Sequence, residues 1–273
     1  MQSFRAAAVQ LRAGPDKPIN LAAGAEQVRH AAGEGARLVA LPELFAWSGP
    51  ASEEAAQAET VPGPASESLG RLARELGIWL VAGSLLERDE PSGAARCFNT
   101  CLLFGPDGAL AARYRKIHLF DVAIDGAVAA RESSTRQPGS EIVHAGTELG
   151  SIGLAVCYDL RFPELFRRLA VDGVEIVVMP SAFTAPTGAA HWHTLVRARA
   201  IENQCFVVAP NQFGATSHGF DSYGHSIIVD PWGEILAEAG ADGPCIVAAD
   251  LDGERLEQVR RKLPSLEHRR LEP

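Results

Sequence analysis

The chain has 273 residues, five cysteines and a formal net charge of −9 at pH 7. This length can bury a substantial core, and the ordinary charged and apolar fractions exclude wholesale disorder. The negative charge argues against nucleic acid or an anionic membrane as a partner. The sequence opens without a secretory signal pattern, and no apolar run reaches the roughly 20 residues of a membrane helix. We therefore expect a cytoplasmic protein with reduced thiols.

Strand-like and helix-like segments alternate in both halves of the sequence. The first half predicts strands at 6–11, 37–40, 78–84, 99–104 and 109–114, with helices at 18–34 and 66–76. The second half predicts strands at 152–156, 175–179, 204–209, 225–229 and 234–237, with helices at 162–171, 189–202 and 252–261. Clusters of Gly, Pro and Asp at 105–108 and 230–233 predict a hairpin near the end of each half. This order indicates one α/β domain over residues 1–273, with a polar tail from about residue 263.

Two segments lack a clear period. Residues 118–140 carry scattered charges with Gly126 and Pro138, and residues 212–221 are loop-like and rich in glycine. A long irregular loop in a compact domain is usually functional or mobile. We expect the first segment to border a ligand pocket, whereas the role of the second stays open.

Three residues with complementary chemistry each follow a predicted strand. Glu43 comes after an apolar run, Lys116 ends a second strand, and Cys157 leaves a third. Taken singly, they could be an ion-pair carboxylate, part of a solvated basic stretch and a core thiol. Because ligands bind at the carboxyl ends of strands in α/β sheets, we interpret them together. A carboxylate can act as a base, an ammonium can stabilise an oxyanion, and a thiol can act as a nucleophile.

The three motifs Leu41-Pro42-Glu43, Tyr114-Arg115-Lys116-Ile117-His118 and Cys157-Tyr158-Asp159 resemble the Glu-Lys-Cys triad of the nitrilase superfamily of carbon–nitrogen hydrolases. The resemblance spans nearly the whole chain. It implies a four-layer α-β-β-α sandwich that forms a homodimer or a higher homo-oligomer. It also implies amide hydrolysis through a thioester, without a cofactor or a metal. Finally, it implies a second catalytic glutamate at Glu132, which the residues alone would indicate to be a solvated loop carboxylate. We expect the loop to place Glu132 near Lys116, close enough to share a hydrogen bond.

Flanking motifs resemble the branch of this superfamily that holds deaminated glutathione amidase and omega-amidase. The resemblance lies in Ser181-Ala182-Phe183, Ala190-His191-Trp192, residues 197–202 and residues 222–226. It implies a primary amide of a small anionic, α-keto-acid-like compound as the substrate. We expect the substrate or oxyanion to lie near Tyr158, Ser181, Ala182, Phe183 and His191. The alternatives are an omega-amidase for α-ketoglutaramate-like amides, a hydrolase of another amide on this fold, and a non-catalytic scaffold.

Two further patterns have competing interpretations. His191 and His193 could indicate a metallohydrolase, but residues at i and i+2 do not share a helix face, so we expect no metal there. Asp159 and Arg161 could form a structural ion pair under the nucleophile turn, or Arg161 could hold a substrate carboxylate. We favour the structural pair.

Overall fold

The computed structural model describes residues 1–89, 96–126, 128–216 and 220–271. Along these residues the strands are β1 (Phe4–Gln10), β2 (Leu38–Ala40), β3 (Trp79–Glu87), β4 (Phe98–Phe104), β5 (Leu110–Arg115), β6 (Asp121–Ile124), β7 (Val128–Arg131), β8 (His144–Thr147), β9 (Gly150–Leu154), β10 (Ile176–Val178), β11 (Phe206–Ala209), β12 (Phe213–Ala215), β13 (Asp221–Tyr223), β14 (Ile227–Val229), β15 (Ile235–Glu238) and β16 (Cys245–Leu251). The helices are α1 (Lys17–Gly33), α2 (Glu54–Gln57), α3 (Pro64–Leu76), α4 (Pro163–Val171), α5 (Ala185–Asn203) and α6 (Gly253–Lys262). No helix among these is long and apolar enough to cross a bilayer.

The first large sheet has the order β16-β1-β2-β3-β4-β5. Successive side chains of each strand pack into two different apolar cores, because they point to opposite faces of the sheet. On β1, Ala7 and Val9 pack with residues of α1 and α3, whereas Ala6 and Ala8 face a core that is shared with the second sheet. Helices α1 and α3 therefore cover one face of this sheet.

The second large sheet has the order β15-β14-β11-β10-β9-β8 and is covered by α4 and α5. Gly153 of β9 faces α4 so closely that a Cβ there would lie 3.0 Å from Leu169. Its neighbours Ile152 and Leu154 belong to the core shared with the first sheet. The two sheets thus pack face to face between helical layers, and the predicted α-β-β-α sandwich is confirmed.

Several local predictions are wrong. Segment 118–140 is not irregular, since β6 pairs antiparallel with β7 and a 3₁₀ turn over Glu132–Ser134 follows. Segment 212–221 likewise contains most of the β12–β13 pair. Strand β16 was missed although it pairs with the full length of β1, and β8 was missed as well. Strands of three or four residues are too short to establish a period of two, and their pairing depends on distant partners.

The predicted hairpins at 105–108 and 230–233 are confirmed, as β4 pairs antiparallel with β5 and β14 with β15. Helix α5 begins earlier than predicted because Pro186 occupies the first helical turn, where proline is well tolerated. Strands β2 and β5 run in the same direction, since β2 and β3 are parallel and two antiparallel steps lead from β3 to β5. Their carboxyl ends therefore lie at the same edge of the first sheet.

Candidate active site

The two sheets bring the three predicted strand-end residues together. Glu43 follows β2 and Lys116 follows β5 in the first sheet, whereas Cys157 opens a 3₁₀ turn (Cys157–Arg161) beyond β9 in the second. The backbone N–H of Cys157 donates to the carbonyl of Pro180 at 2.9 Å. Cys157 has a φ of 48°, a left-handed conformation that is uncommon for residues other than glycine and is enriched at functional sites.

A buried ion cluster surrounds the ammonium group of Lys116. Its Nζ lies 3.0 Å from Oε1 of Glu43 and 2.9 Å from Oε2 of Glu132. The side chains of Lys116, Glu43 and Glu132 are 2%, 5% and 6% exposed. Burial lowers the pKa of Lys116, but the charges of Glu132 and Glu43 outweigh this effect and hold that pKa above its ordinary value. Lys116 is therefore a fixed cation, and the contact predicted between Glu132 and Lys116 is confirmed.

The thiol of Cys157 faces the same cluster. Burial and then the Glu43 carboxylate raise the pKa of Cys157 well above its ordinary value, whereas Lys116 and the N–H of Ala182 lower it. The resting sulfur is therefore protonated at neutral pH and lies beside a carboxylate that can accept the proton.

A second layer of polar groups fixes the two carboxylates. Asn99 on β4 donates its Nδ2 to Oε1 of Glu43 at 2.8 Å and to Oε1 of Glu132 at 3.3 Å. Arg136 donates to Oε1 of Glu132 at 2.7 Å and forms a second ion pair with buried Glu54. Burial raises the pKa of Glu132, but Lys116 and Arg136 outweigh this effect and hold it below its ordinary value. Glu132 is thus an internal carboxylate, contrary to the solvated role that its loop position alone indicated.

Asn99, Arg136 and Glu54 were missed by the sequence analysis. Two of the three leave a signal in the sequence. Asn99 is a buried amide in a mostly apolar strand, and Arg136 follows Glu132 at the i+4 spacing of helical ion pairs. Glu54 lies on the short helix α2, far away in the sequence, and its partner could not be inferred from spacing.

The predicted ion pair between Asp159 and Arg161 is wrong. Asp159 is fully buried and accepts hydrogen bonds from Tyr114 Oη at 2.6 Å and from the backbone of Val156 at 2.8 Å, while His118 Nδ1 lies 2.7 Å away. Arg161 points elsewhere and is half-buried over the rings of Tyr158 and Phe183. Asp159 therefore links the nucleophile turn to the first sheet, and Arg161 does not need it as a partner.

A cavity of about 280 Å³ opens above the cluster. Glu43, Lys116, Glu132 and Cys157 all line it, and so do the predicted neighbours Tyr158, Ala182 and Phe183. Two predicted neighbours do not line it. Ser181 is fully buried and its hydroxyl donates to the carbonyl of Met179. His191 is exposed and lies 3.3 Å from Arg161, which lines the cavity.

The histidines of α5 diverge as the i, i+2 argument predicts. His191 contacts Arg161 at the cavity side, whereas His193 lies 2.7 Å from Glu238 at the end of β15. The metallohydrolase interpretation required both to bind one ion with nearby carboxylates. Their separate partners remove the geometric basis for that interpretation.

Comparison with known proteins agrees with this geometry. Residues 5–261 match the carbon-nitrogen hydrolase family. The chain belongs to this family. It is 39% identical over 270 residues to the human omega-amidase NIT2, covering 99% of this chain and 96% of that protein. It is also 40% identical over 271 residues to deaminated glutathione amidase from Synechocystis, covering 98% and 99% of the two chains.

The solved structures show the same relationship. The crystal structure of Nit3 from Saccharomyces cerevisiae, a member of branch 10 of the nitrilase superfamily, has a TM-score of 0.89 and 36% identity, covering 99% of this chain and 97% of that one. The predicted superfamily and branch are therefore confirmed, and the chain is a carbon–nitrogen hydrolase that acts on amides. In this hydrolase, the carboxylate of Glu43, the ammonium of Lys116 and the thiol of Cys157 line one cavity.

Proposed function

We propose that this carbon–nitrogen hydrolase is a cysteine amidase that converts the primary amide of a small anionic substrate into a carboxylate and ammonia. The observation that carries the proposal is the meeting of the Cys157 thiol with Glu43 and Lys116 at one end of the cavity. Cys157 is the nucleophile, Glu43 is the general base, and Lys116 stabilises the oxyanion. Glu132 orients the ammonium of Lys116 and polarises the substrate amide.

The chemistry divides into two steps. Glu43 takes the thiol proton as the sulfur attacks the amide carbon, and the resulting oxyanion is held by Lys116 and by the N–H of Tyr158. That N–H belongs to the start of a 3₁₀ turn, where backbone donors lack partners within the turn. Glu43 then protonates the leaving nitrogen, the C–N bond breaks, and ammonia departs from a thioester. In the second step Glu43 removes a proton from water, which attacks the thioester and restores the thiol.

The substrate class is inferred from Arg161, Tyr158 and Phe183, which we call the wall of the cavity. The guanidinium of Arg161 lies 5.1 Å from the ring centre of Phe183 and 5.8 Å from that of Tyr158. Arginine matches the geometry of a carboxylate better than any other side chain, and a half-buried guanidinium is suited to bind one. This supports an acidic group on the substrate, as in deaminated glutathione. An omega-amidase that acts on α-ketoglutaramate-like amides fits the same wall and remains the second candidate.

Ammonia release tests the proposal. The panel pairs deaminated glutathione and α-ketoglutaramate with neutral aliphatic amides of matched length, and includes a nitrile and a carbamoyl amino acid. We expect the two anionic amides to be hydrolysed with the highest kcat/KM, and their ratio decides between the two candidates. Preference for the neutral amides would contradict the anionic class, and release from the carbamoyl compound alone would contradict the amidase assignment.

We also propose that the protein works as a cytoplasmic homodimer or higher homo-oligomer. Ile201, Trp232 and Ile235 are exposed apolar side chains, and Gly233 brings the β14–β15 turn against Ile201. Burial of such side chains between subunits would be favourable. Light scattering coupled to size exclusion measures the mass directly, and a monomer across the working concentration range would contradict this proposal.

A further inference from the structure

A second cluster of ligand-type side chains lies outside the cavity. His193 of α5, His225 before β14 and Glu238 at the end of β15 present three donor atoms within 4.8 Å of one another. Nε2 of His193 and Nδ1 of His225 each lie 2.7 Å from the same oxygen of Glu238. Two imidazole nitrogens from separate segments thus meet one carboxylate oxygen of a third segment.

The donor set matches a known class of metal site. Two imidazole nitrogens and one carboxylate oxygen, with water as the fourth ligand, form the His₂Glu arrangement of tetrahedral zinc. Donors about 2.0–2.1 Å from a tetrahedral ion are roughly 3.3 Å apart, so the side chains need to open only slightly from their hydrogen-bonded spacing. One carboxylate and two neutral imidazoles would neutralise only part of the charge of a divalent ion. The ion would therefore retain a bound water.

The backbone around the cluster is held firmly. The carbonyl of His225 accepts a hydrogen bond from the indole of buried Trp192 at 2.8 Å, and His225 adopts a φ of 53°. The ring of Tyr223 stacks on His225 with centroids 4.4 Å apart. That ring also packs against Gly188 of α5, where a Cβ would lie 2.3 Å from it. The two histidines are therefore presented by fixed elements.

The electrostatics favour a bound cation. Glu238 places a carboxylate oxygen between two imidazole nitrogens. Its ion-pair partners among the described residues are these two histidines, which carry charge only when protonated. The side chains are 33%, 23% and 29% exposed for His193, His225 and Glu238, which gives an ion access from solvent.

We propose that His193, His225 and Glu238 form a binding site for a divalent transition metal of the zinc class, separate from the amide-hydrolysing cavity. The ion would tie α5 to the β14–β15 pair. None of the three residues lines the cavity. The site is therefore a structural or regulatory one, and it stands whether or not the proposed amidase activity is correct.

The test is titration of the metal-free full-length chain with Co²⁺ and Zn²⁺. The Cys157→Ala background removes the cavity thiol as a competing ligand. We expect Co²⁺ to saturate at one equivalent per chain with the visible absorption of a tetrahedral nitrogen and oxygen site. Zn²⁺ should displace it and raise the melting temperature.

Two variants and one control make the result specific. His193→Ala removes a ligand, and Glu238→Gln keeps a hydrogen-bond acceptor for the histidines but removes the charged ligand. Each should weaken binding at least tenfold, by analogy with the roughly 10–100-fold losses seen for perturbed metal sites. His30→Ala should bind normally, since the exposed pair of His30 and Glu34 offers only two ligands. A failure to saturate at modest excess, an octahedral spectrum, or binding that His193→Ala and Glu238→Gln leave unchanged would overturn the proposal.

Discussion

The floor and the wall of the cavity are built on different principles. The floor, defined as Glu43, Lys116, Glu132 and Cys157, is a buried cluster in which each carboxylate bonds to the ammonium of Lys116. The wall carries Arg161, which lies over aromatic rings and remains half-buried. A preorganised floor stabilises charge that develops during the reaction. The comparison predicts that reaction type and substrate choice depend on separate residues, so that each can be altered without the other.

The largest effect is expected from the floor nucleophile. Cys157→Ala removes only the sulfur, so turnover should disappear while circular dichroism and the melting temperature stay close to wild type. Intact mass spectrometry during turnover should show an acyl adduct on the wild type and none on the variant. An adduct that persists in the variant would assign the nucleophile to another residue.

The base and the cation of the floor come next. Loss of a general base typically costs about 10²–10⁴ in rate, and Glu43→Gln should lower kcat within this range because Gln keeps the size of the side chain but cannot take the thiol proton. The single oxygen of Gln can still accept a hydrogen bond from Asn99 or from Ala182, but not from both. Lys116→Met removes an oxyanion donor, which typically costs about 10²–10³. It also removes the cation that pairs with buried Glu43 and one of the two cations that pair with Glu132, so its stability must be measured alongside kcat. Near-normal kcat in either folded variant would contradict its role.

Glu132 sharpens the comparison because it belongs to the floor but bonds to Lys116 and Arg136 and not to the nucleophile. Glu132→Gln should lower kcat by up to about 10²-fold through misplacement of Lys116, with KM little changed. The matched control is Glu87→Gln, since Glu87 is equally buried and bonded to arginine but lies outside the cavity. We expect Glu87→Gln to lower stability and leave kcat unchanged. If Glu132→Gln and Glu87→Gln lowered kcat to the same extent, the effect at Glu132 would be explained by general destabilisation.

The floor could largely be predicted from the sequence, whereas the wall could not. Glu43, Lys116 and Cys157 each follow a buried strand, and strand ends converge at one edge of a sheet. Glu132 needed the family resemblance, because its partners Lys116 and Asn99 lie 16 and 33 residues away in the sequence. The i+4 spacing to Arg136 alone would equally suit an exposed ion pair. Arg161 was assigned to Asp159 because side-chain direction within a 3₁₀ turn is not encoded by residue spacing.

The sheets show the same limit. Strand β16 lies at the edge of the first sheet only because β1, more than 200 residues earlier in the chain, accepts it along its whole length. The short pairs β6–β7 and β12–β13 carry too few residues for alternation to be recognised. Local patterns therefore predicted the long elements, and pairing between distant segments decided the remainder.

The wall should respond in KM. Arg161→Gln removes the guanidinium while keeping a polar side chain, so the KM for an anionic amide should rise by roughly tenfold, the equivalent of about 1.4 kcal/mol. Its kcat should change little, and a neutral amide should be unaffected. Arg168→Gln serves as the control because Arg168 is exposed on α4 and does not line the cavity. Equal losses for anionic and neutral amides would contradict carboxylate binding by Arg161.

The smallest effect concerns stability against acid. Burial raises the pKa of Glu132, but Lys116 and Arg136 outweigh it and hold that pKa below its ordinary value of 4.5. A carboxyl group with a depressed pKa in the folded state stabilises the fold above its unfolded pKa and loses this contribution as the pH falls toward the folded value. Glu132→Gln should therefore unfold more easily than wild type at neutral pH. The difference in unfolding free energy should narrow below pH 4.5 by at most about 1.4 kcal/mol per pH unit. Urea unfolding at a series of pH values measures it, and a difference that stays constant down to strong acid would mean that the charge of Glu132 does not stabilise the floor.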